Sequence, residues 1–145
     1  VATGLYDNSA VTSTQKNEAE SLLRSVGVTV WLENEDLMDP LTALSGSGPA
    51  YFFYLMEALI EAGTRQGLSA DAATILVLQT AMGAAKMVLE SADTPAKLRD
   101  KVTSKGGTTE AALAVLVDEG FSNLIEKALQ VSTKRSVELG QLLGQ

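Results

Sequence analysis

The segment from Ser69 to Leu89 restricts the folds open to this chain more than any other part of its sequence. Its large apolar residues recur at helical spacing but lie almost all the way round the predicted helix, so no face is left for water. They are Ile75, Leu76, Val77, Leu78, Met82, Met87 and Val88. Gln79, Lys86 and the nearby threonines and glycines argue against a membrane span. In a chain of 145 residues, we therefore expect a second copy to cover part of this helix.

The composition excludes several classes of function. The chain has no cysteine and no histidine, which excludes disulfides, thiolate metal sites and serine–histidine or cysteine–histidine catalysis, and we predict no metal site. A net charge of −7 without a long Lys/Arg cluster argues against nucleic acid as a partner. A hydrophobic content of 46% predicts a folded domain. The sequence begins at Val1 without a signal-peptide pattern, so we expect a cytoplasmic protein or a piece of one.

The N-terminal part predicts one helix and one strand. Residues 1–11 are small and polar and indicate a loop, and Thr12 with Gln15 forms a capping box for a helix that ends at Gly27. Residues 28–32 alternate apolar and other side chains as a strand does. No downstream segment offers this strand a partner, so we expect it to stay exposed or to pair with its copy in a second chain. A single strand is the first indication that a domain is missing.

Beyond Asp36 every segment favours helix. A short helix is predicted at residues 37–44, and a longer one has Pro49 in its first turn. Four later helices are predicted. Ser69 caps the first, and Asp93 or Thr94 caps the second. The third ends at Glu119, and the fourth runs from about Ser122 to Leu142.

Between the first two of these helices, Gly46 and Gly48 resemble the start of a dinucleotide fingerprint. The pattern fails because Tyr51 stands where the third glycine is needed and no strand leads into the segment. We therefore predict a tight helix–helix turn at residues 45–49, in which a serine hydroxyl satisfies a helix end.

The glycine-containing loop before Glu110 is the main candidate for a functional site. Residues 102–119 have the sequence VTSKGGTTEAALAVLVDE. Two adjacent glycines and several hydroxyls break regular structure, after which apolar residues resume helical spacing with Glu110 in the first turn. Such a loop brings backbone N–H groups to a helix N-terminus, which favours a carboxylate or phosphate ligand. A capped turn without a ligand is the alternative interpretation.

Two motifs, in this order and at this spacing, resemble one known family. The sequences LMDPLTALSGSGPAYFF at residues 37–53 and KVTSKGGTTEAALAVL at residues 101–116 are similar to the C-terminal half of pyrroline-5-carboxylate reductase. Residues 5–6 and VTVWLE at residues 28–33 resemble the end of that family's N-terminal domain.

The resemblance implies an all-α, interlocked dimerisation and substrate-binding domain at residues 34–145, similar to the C-terminal domain of 6-phosphogluconate dehydrogenase. It also implies that residues 1–33 are the C-terminal remnant of a dinucleotide-binding Rossmann domain, of which one short helix and one strand are left. The chain is then expected to be a fragment that has lost its cofactor domain.

The resemblance further implies an activity. The family reduces the C=N bond of 1-pyrroline-5-carboxylate to give L-proline, with hydride from NADPH or NADH. The implied substrate-binding residues are Ser104, Lys105, Gly106, Gly107, Thr108 and Thr109. Ser104 and the N–H groups of Gly107 to Thr109 would hold the substrate carboxylate, and the hydroxyl of Thr109, the implied catalytic residue, would approach the ring nitrogen.

No residue of this chain is expected to bind the cofactor. We therefore predict that the chain binds no dinucleotide and cannot reduce the substrate by itself. We also predict that it forms a homodimer. Assembly of dimers into a larger oligomer is left open. Two other interpretations also remain at this point. One is a non-catalytic helical dimerisation module whose glycine loop is only a turn. The other is half of a related dehydrogenase that acts on another small carboxylate.

Overall fold

Two short strands and a series of helices make up the chain, which a computed structural model describes for residues 2–143. Val1, in the predicted loop, and residues 144–145, at the end of the predicted helical domain, lie outside the described residues. The elements are β1 (Ala2–Leu5), α1 (Ser13–Arg24), β2 (Val28–Trp31), a 3₁₀ turn (Glu35–Leu37), α2 (Met38–Leu41), a π-helical turn (Thr42–Gly46), α3 (Gly48–Arg65), α4 (Ala70–Glu90), α5 (Pro95–Lys101), α6 (Thr108–Asp118) and α7 (Phe121–Leu143). The prediction of helix throughout the later part of the chain is confirmed.

The predicted strand has a partner within the chain. β1 pairs with β2 in parallel, with Ala2 opposite Val28 and Leu5 opposite Trp31. The prediction of a loop was therefore wrong for residues 2–5, as was the expectation of a single strand without a partner strand in this chain. The reason is that β1 is only four residues long and contains a glycine, which removes the alternation that marks a strand. A Cβ at Gly4 would overlap the end of the Leu41 side chain, which packs closely on the glycine.

Helix α1 is fixed at its start and along the face that meets β2. The predicted capping box is confirmed, since Thr12 accepts from the Gln15 N–H and Gln15 bonds back to the Thr12 N–H. The Lys16 ammonium lies 4.0 Å from the centre of the Trp31 ring on β2. The nearby Trp31 side chain, and then Arg24, which pairs with Glu20 at 2.7 Å, lower the pKa of the Glu20 carboxyl. Strand, helix and strand thus form one βαβ unit.

The glycine-rich segment before α3 continues the helix and is not a turn. The Ser47 N–H donates to the Thr42 carbonyl at 2.9 Å, the spacing of a π-helix. Neither Gly46 nor Gly48 has a positive φ, so the flexibility of these glycines is not used to reverse the chain. The prediction of a tight helix–helix turn was wrong for this reason. Pro49 does lie in the first turn of α3, where its missing N–H needs no partner.

The chain divides into two compact units. One consists of Ala50–Ile125, and the other of the residues up to Pro49 and from Glu126 onward. In the latter, the Ser136 hydroxyl donates to the Asp39 carboxylate at 2.6 Å and so joins α7 to α2.

The loop between α3 and α4 contains the residues that the sequence predicts for the end of one helix and the start of the next. Gly67 has φ +103, a conformation that glycine adopts readily. The Leu68 N–H then donates back to the Gly63 carbonyl at 3.2 Å. Ser69 caps α4 by accepting from the Ala72 N–H, as predicted.

Helix α4 is apolar but almost uncovered within the chain. Ala73 is its only buried residue, while Ile75 is 62% exposed, Met82 60% and Leu89 85%. Among the residues that the structure describes, only two alanines and one glycine are buried. By length and composition alone, α4 would also suffice to cross a membrane. The described chain therefore has very little core of its own.

Candidate functional site

Helix α5 leads directly into the glycine loop and is held by its own side chains. Thr94 caps it by accepting from the Lys97 N–H at 3.3 Å, with Pro95 in the first turn. The Asp93 carboxylate pairs with Lys97 at 2.9 Å and with Lys101 in the last turn. Hydrogen bonds from Lys101 and then Lys97 hold the pKa of Asp93 below its usual value. A single carboxylate thus connects the two ends of α5.

The loop after α5 closes in a tight turn in which the two glycines serve different purposes. The Gly107 N–H donates to the Ser104 carbonyl at 3.0 Å. Gly106 has φ +73, which favours glycine over any residue with a side chain. Gly107 has an ordinary φ of −85, but a Cβ there would overlap the Ser104 hydroxyl and lie 3.0 Å from the Ser104 carbonyl oxygen. Gly106 is needed for its conformation and Gly107 for space.

Helix α6 begins with N–H groups that are not bonded to any other described residue. Gly107 is its N-cap, and the first helical bond runs from the Ala111 N–H to the Gly107 carbonyl at 3.2 Å. The N–H groups of Thr108, Thr109 and Glu110 precede that bond and find no acceptor among the described residues. Together with the helix dipole they form a positive end that is suited to a small anion.

The six residues predicted from the sequence thus lie in one continuous turn at the start of α6. Ser104 and Lys105 are exposed, and Thr109 is partly buried. Of the predicted backbone donors, those of Thr108 and Thr109 are open, whereas the N–H of Gly107 is engaged by Ser104.

One contact at this turn was not predicted from the sequence. The Glu110 carboxylate accepts a hydrogen bond from the Gly106 N–H at 2.7 Å. A signal was present, because a glutamate at the third helical position often reaches back to an N–H group at the helix start. The place of Glu110 in the first turn predicts a favourable charge near the helix dipole, but not this bond to the loop.

A separate apolar groove of about 840 Å³ lies between α3 and α4. Phe52, Leu55 and Leu59 of α3 contribute to one side of it. Leu76 and Val88 of α4 contribute to the other. The groove has almost no polar groups to orient a small ligand, so its chemistry fits the apolar surface of another protein chain.

The described residues do not have the features of a dinucleotide-binding site. Parallel-stranded dinucleotide sites hold the pyrophosphate at a glycine-rich turn between the first strand and its helix. Here the connection from β1 to α1, residues 6–12, contains no glycine. The pair Gly46 and Gly48 lies in helical backbone instead. Among the described residues there is also no group of three side chains that could hold a metal ion.

These features define a mostly helical domain in which a glycine loop leads to open N–H groups at a helix N-terminus. A family profile described as pyrroline-5-carboxylate reductase dimerisation matches residues 35–139. The chain belongs to the pyrroline-5-carboxylate reductase family.

Relatives of known name are similar over nearly the whole chain. The pyrroline-5-carboxylate reductase of Pseudomonas aeruginosa is 51% identical over 144 residues, which are 99% of this chain and 53% of that protein. The enzyme of the same name from Pasteurella multocida is 44% identical over 96% of this chain and 51% of its own length. The chain thus spans about half the length of the curated relatives it matches.

Solved structures agree with this assignment. The structure of a pyrroline-5-carboxylate reductase from Coxiella burnetii superimposes with a TM-score of 0.91 at 48% identity, over 95% of this chain and 51% of that chain. The Plasmodium falciparum pyrroline carboxylate reductase, solved with NADP bound, gives a TM-score of 0.83 at 34% identity, over 94% of this chain and 53% of that one. The predicted helical dimerisation fold is confirmed.

Proposed function

We propose that this chain supplies the dimerisation and substrate-binding half of an enzyme that reduces 1-pyrroline-5-carboxylate to L-proline with NADPH or NADH, in the cytoplasm. Membership of the family and coverage of about half of each relative support the proposal. Residues 34–145 are the helical domain in this proposal, and residues 1–33 the end of a dinucleotide-binding domain. The parallel βαβ unit favours that division, because parallel strands joined by a helix are the building unit of dinucleotide-binding sheets.

The observation that carries the substrate site is the set of open N–H groups at the start of α6, beside the Ser104 turn. The proposed ligand is the carboxylate of the substrate, bound by the Ser104 hydroxyl and the N–H groups of Thr108 and Thr109. The helix dipole would add roughly 0.3–2 kcal/mol to the binding of such an anion. The exposed Lys105 ammonium supplies a positive charge on the same loop.

Thr109 is proposed to act on the ring nitrogen of the substrate. Thr109 is the second residue of α6 and follows the turn that is proposed to bind the carboxylate. A five-membered ring held by its carboxylate would therefore lie close to the Thr109 hydroxyl. A hydrogen bond to the nitrogen as the C=N bond is reduced contributes on the order of 1 kcal/mol. The larger contribution of this loop is orientation, since it holds the imine carbon at a fixed position while water is excluded. The chain's own residues bind and orient, and the reducing equivalent comes from NADPH or NADH.

The proposed partner is a second copy of the chain, which covers the apolar groove of α3 and α4. Large apolar side chains rarely stay exposed in such numbers on a monomer. The match to a dimerisation profile favours a protein partner over lipid as the cover for α4. No nucleic-acid or membrane partner is proposed. Association of dimers into larger assemblies is compatible with this arrangement.

The activity is tested by following 1-pyrroline-5-carboxylate-dependent oxidation of NADPH, with this 145-residue chain and the product of the complete reading frame assayed side by side. We expect the complete product to turn over and this chain to be inactive. If neither turns over, the helical interaction module becomes the better interpretation.

The dimer is tested separately by light scattering. Leu76→Asp places a charge in the groove and should give the mass of a monomer, whereas Leu22→Asp, at an exposed position of α1, should leave the dimer intact. A monomeric mass for the unmodified chain would contradict the proposed association.

A further inference from the structure

One contact at the glycine loop is separate from the contacts that are proposed to bind the substrate. The Glu110 carboxylate accepts from the Gly106 N–H at 2.7 Å. In the described part of the chain, this is the only side-chain hydrogen bond to the backbone of residues 104–107. Because the acceptor is charged, the bond belongs to a stronger class than a neutral one.

The bond holds a glycine, which is the residue type with the greatest backbone freedom. Gly106 has φ +73, and no atom lies within 4 Å of the position where its Cβ would be. Packing therefore does not hold this residue in place. Lys105, which precedes it, is exposed and forms no ion pair within the described residues. Without Glu110, the turn would keep only the bond from the Gly107 N–H to the Ser104 carbonyl.

Glu110 is well placed to fix the loop because its own backbone is part of a regular helix. It lies in the first turn of α6, where a negative charge is favoured by the helix dipole. The carboxylate therefore binds the loop to the same helix end whose N–H groups are open. The loop and the donors are held at a fixed distance from each other before any ligand arrives.

We infer that Glu110 is a positioning residue, which holds the Gly106 N–H and so keeps Ser104 and the open N–H groups of α6 converged on one anion. This inference rests on the proposed function. Glu110 acts through the loop and does not touch the substrate. Its loss should therefore raise KM more than it lowers kcat, because the cost is one of ordering the loop when the substrate binds.

The experiment compares three variants in the product of the complete reading frame. Glu110→Ala removes the acceptor, and Glu110→Gln keeps an acceptor oxygen without the charge. Glu119→Ala removes an equally exposed carboxylate at the other end of α6 and serves as the control. Hydrogen exchange of the peptide that contains Gly106 is measured without substrate, and KM and kcat for 1-pyrroline-5-carboxylate are measured in parallel.

We expect Glu110→Ala to speed exchange at Gly106 and to raise KM by about tenfold each, with kcat within about threefold of the unmodified enzyme. Glu110→Gln should recover most of both effects, and Glu119→Ala should show neither. Unchanged exchange in Glu110→Ala would show that the contact does not hold the loop, and the inference would be wrong. Faster exchange with an unchanged KM would overturn its link to substrate binding.

The outcome also separates this inference from the function on which it rests. If the unmodified enzyme does not reduce 1-pyrroline-5-carboxylate, the proposed function fails and the positioning role fails with it. If the unmodified enzyme is active and Glu110→Ala matches it in both exchange and KM, only the role of Glu110 is refuted.

Discussion

Replacing Gly107 by alanine should open the proposed substrate-binding loop for a steric reason alone. The φ of Gly107 is −85, which any residue can adopt. A Cβ there would overlap the Ser104 hydroxyl and lie 3.0 Å from the Ser104 carbonyl oxygen. The hydroxyl can rotate away, but the carbonyl is backbone and must move, which also weakens the hydrogen bond that it accepts from the Gly107 N–H. Overpacking of this kind costs about 1–3 kcal/mol.

That free energy should appear mainly in substrate binding. An exposed loop can relax without unfolding the helices on either side. The free-energy cost therefore appears when the ligand binds, because binding requires the closed turn. A cost of about 1–3 kcal/mol corresponds to a KM raised about 5- to 150-fold. The assay is steady-state kinetics with 1-pyrroline-5-carboxylate on the product of the complete reading frame, with circular dichroism to show that the helices persist.

Gly106 provides the matched comparison, because it is needed for its φ of +73 and has open space around it. Asparagine tolerates this conformation better than alanine does. We therefore expect Gly106→Asn to be closer to the unmodified enzyme than Gly106→Ala, whereas Gly107→Asn should be no better than Gly107→Ala. A normal KM for Gly107→Ala, or rescue of Gly107 by asparagine, would refute the steric argument.

Three further predictions concern other residues of the compact unit Ala50–Ile125. Thr109→Ala should lower kcat by about 5- to 30-fold while light scattering still shows a dimer, and an unchanged kcat would remove Thr109 from the mechanism. Ser69→Ala removes the cap of α4 and should lower the unfolding free energy by about 0.5–2 kcal/mol in denaturant titrations, whereas Ser122→Ala, an exposed position in α7, should not. The pKa of Asp93 is lowered in the folded chain, so its stabilising effect is present above the usual pKa of an aspartate and is lost as the pH falls through the lowered value. Thermal melts from pH 6 down to pH 3 should therefore show a smaller loss of stability for Asp93→Asn than for the unmodified chain.

Local chemistry made much of the helical fold predictable. The caps at Thr12, Ser69 and Thr94 each use a side-chain oxygen that bonds to a nearby N–H, and such bonds depend only on close neighbours in the sequence. β1 escaped prediction because its identity as a strand depends on a partner more than twenty residues away, together with the packing of Leu41 on Gly4. The π-helical turn escaped prediction for a different reason, since Gly46 in it and Gly48 at the start of α3 do not use the positive φ that glycine allows.

The position of the glycine loop in the chain was predictable, but its hydrogen bonds were not. Two adjacent glycines before a helix start indicate an anion-binding turn, and the six residues do lie in one turn. Which N–H groups remain open depends on bonds that form only once the turn is folded, such as that from Gly107 to Ser104. The contact of Glu110 with Gly106 likewise depends on the exact path of the loop.

The shortage of buried side chains has a consequence for how damage to this protein is inherited. Ala43, Gly48 and Ala73 are the only buried residues in the described chain, so in the proposed homodimer the two copies complete one shared core. A copy with a defective glycine loop but intact helices would still be accepted as a partner. In a cell that makes both forms, the defective copy would enter mixed pairs, and the number of fully competent pairs would fall faster than the share of normal chains.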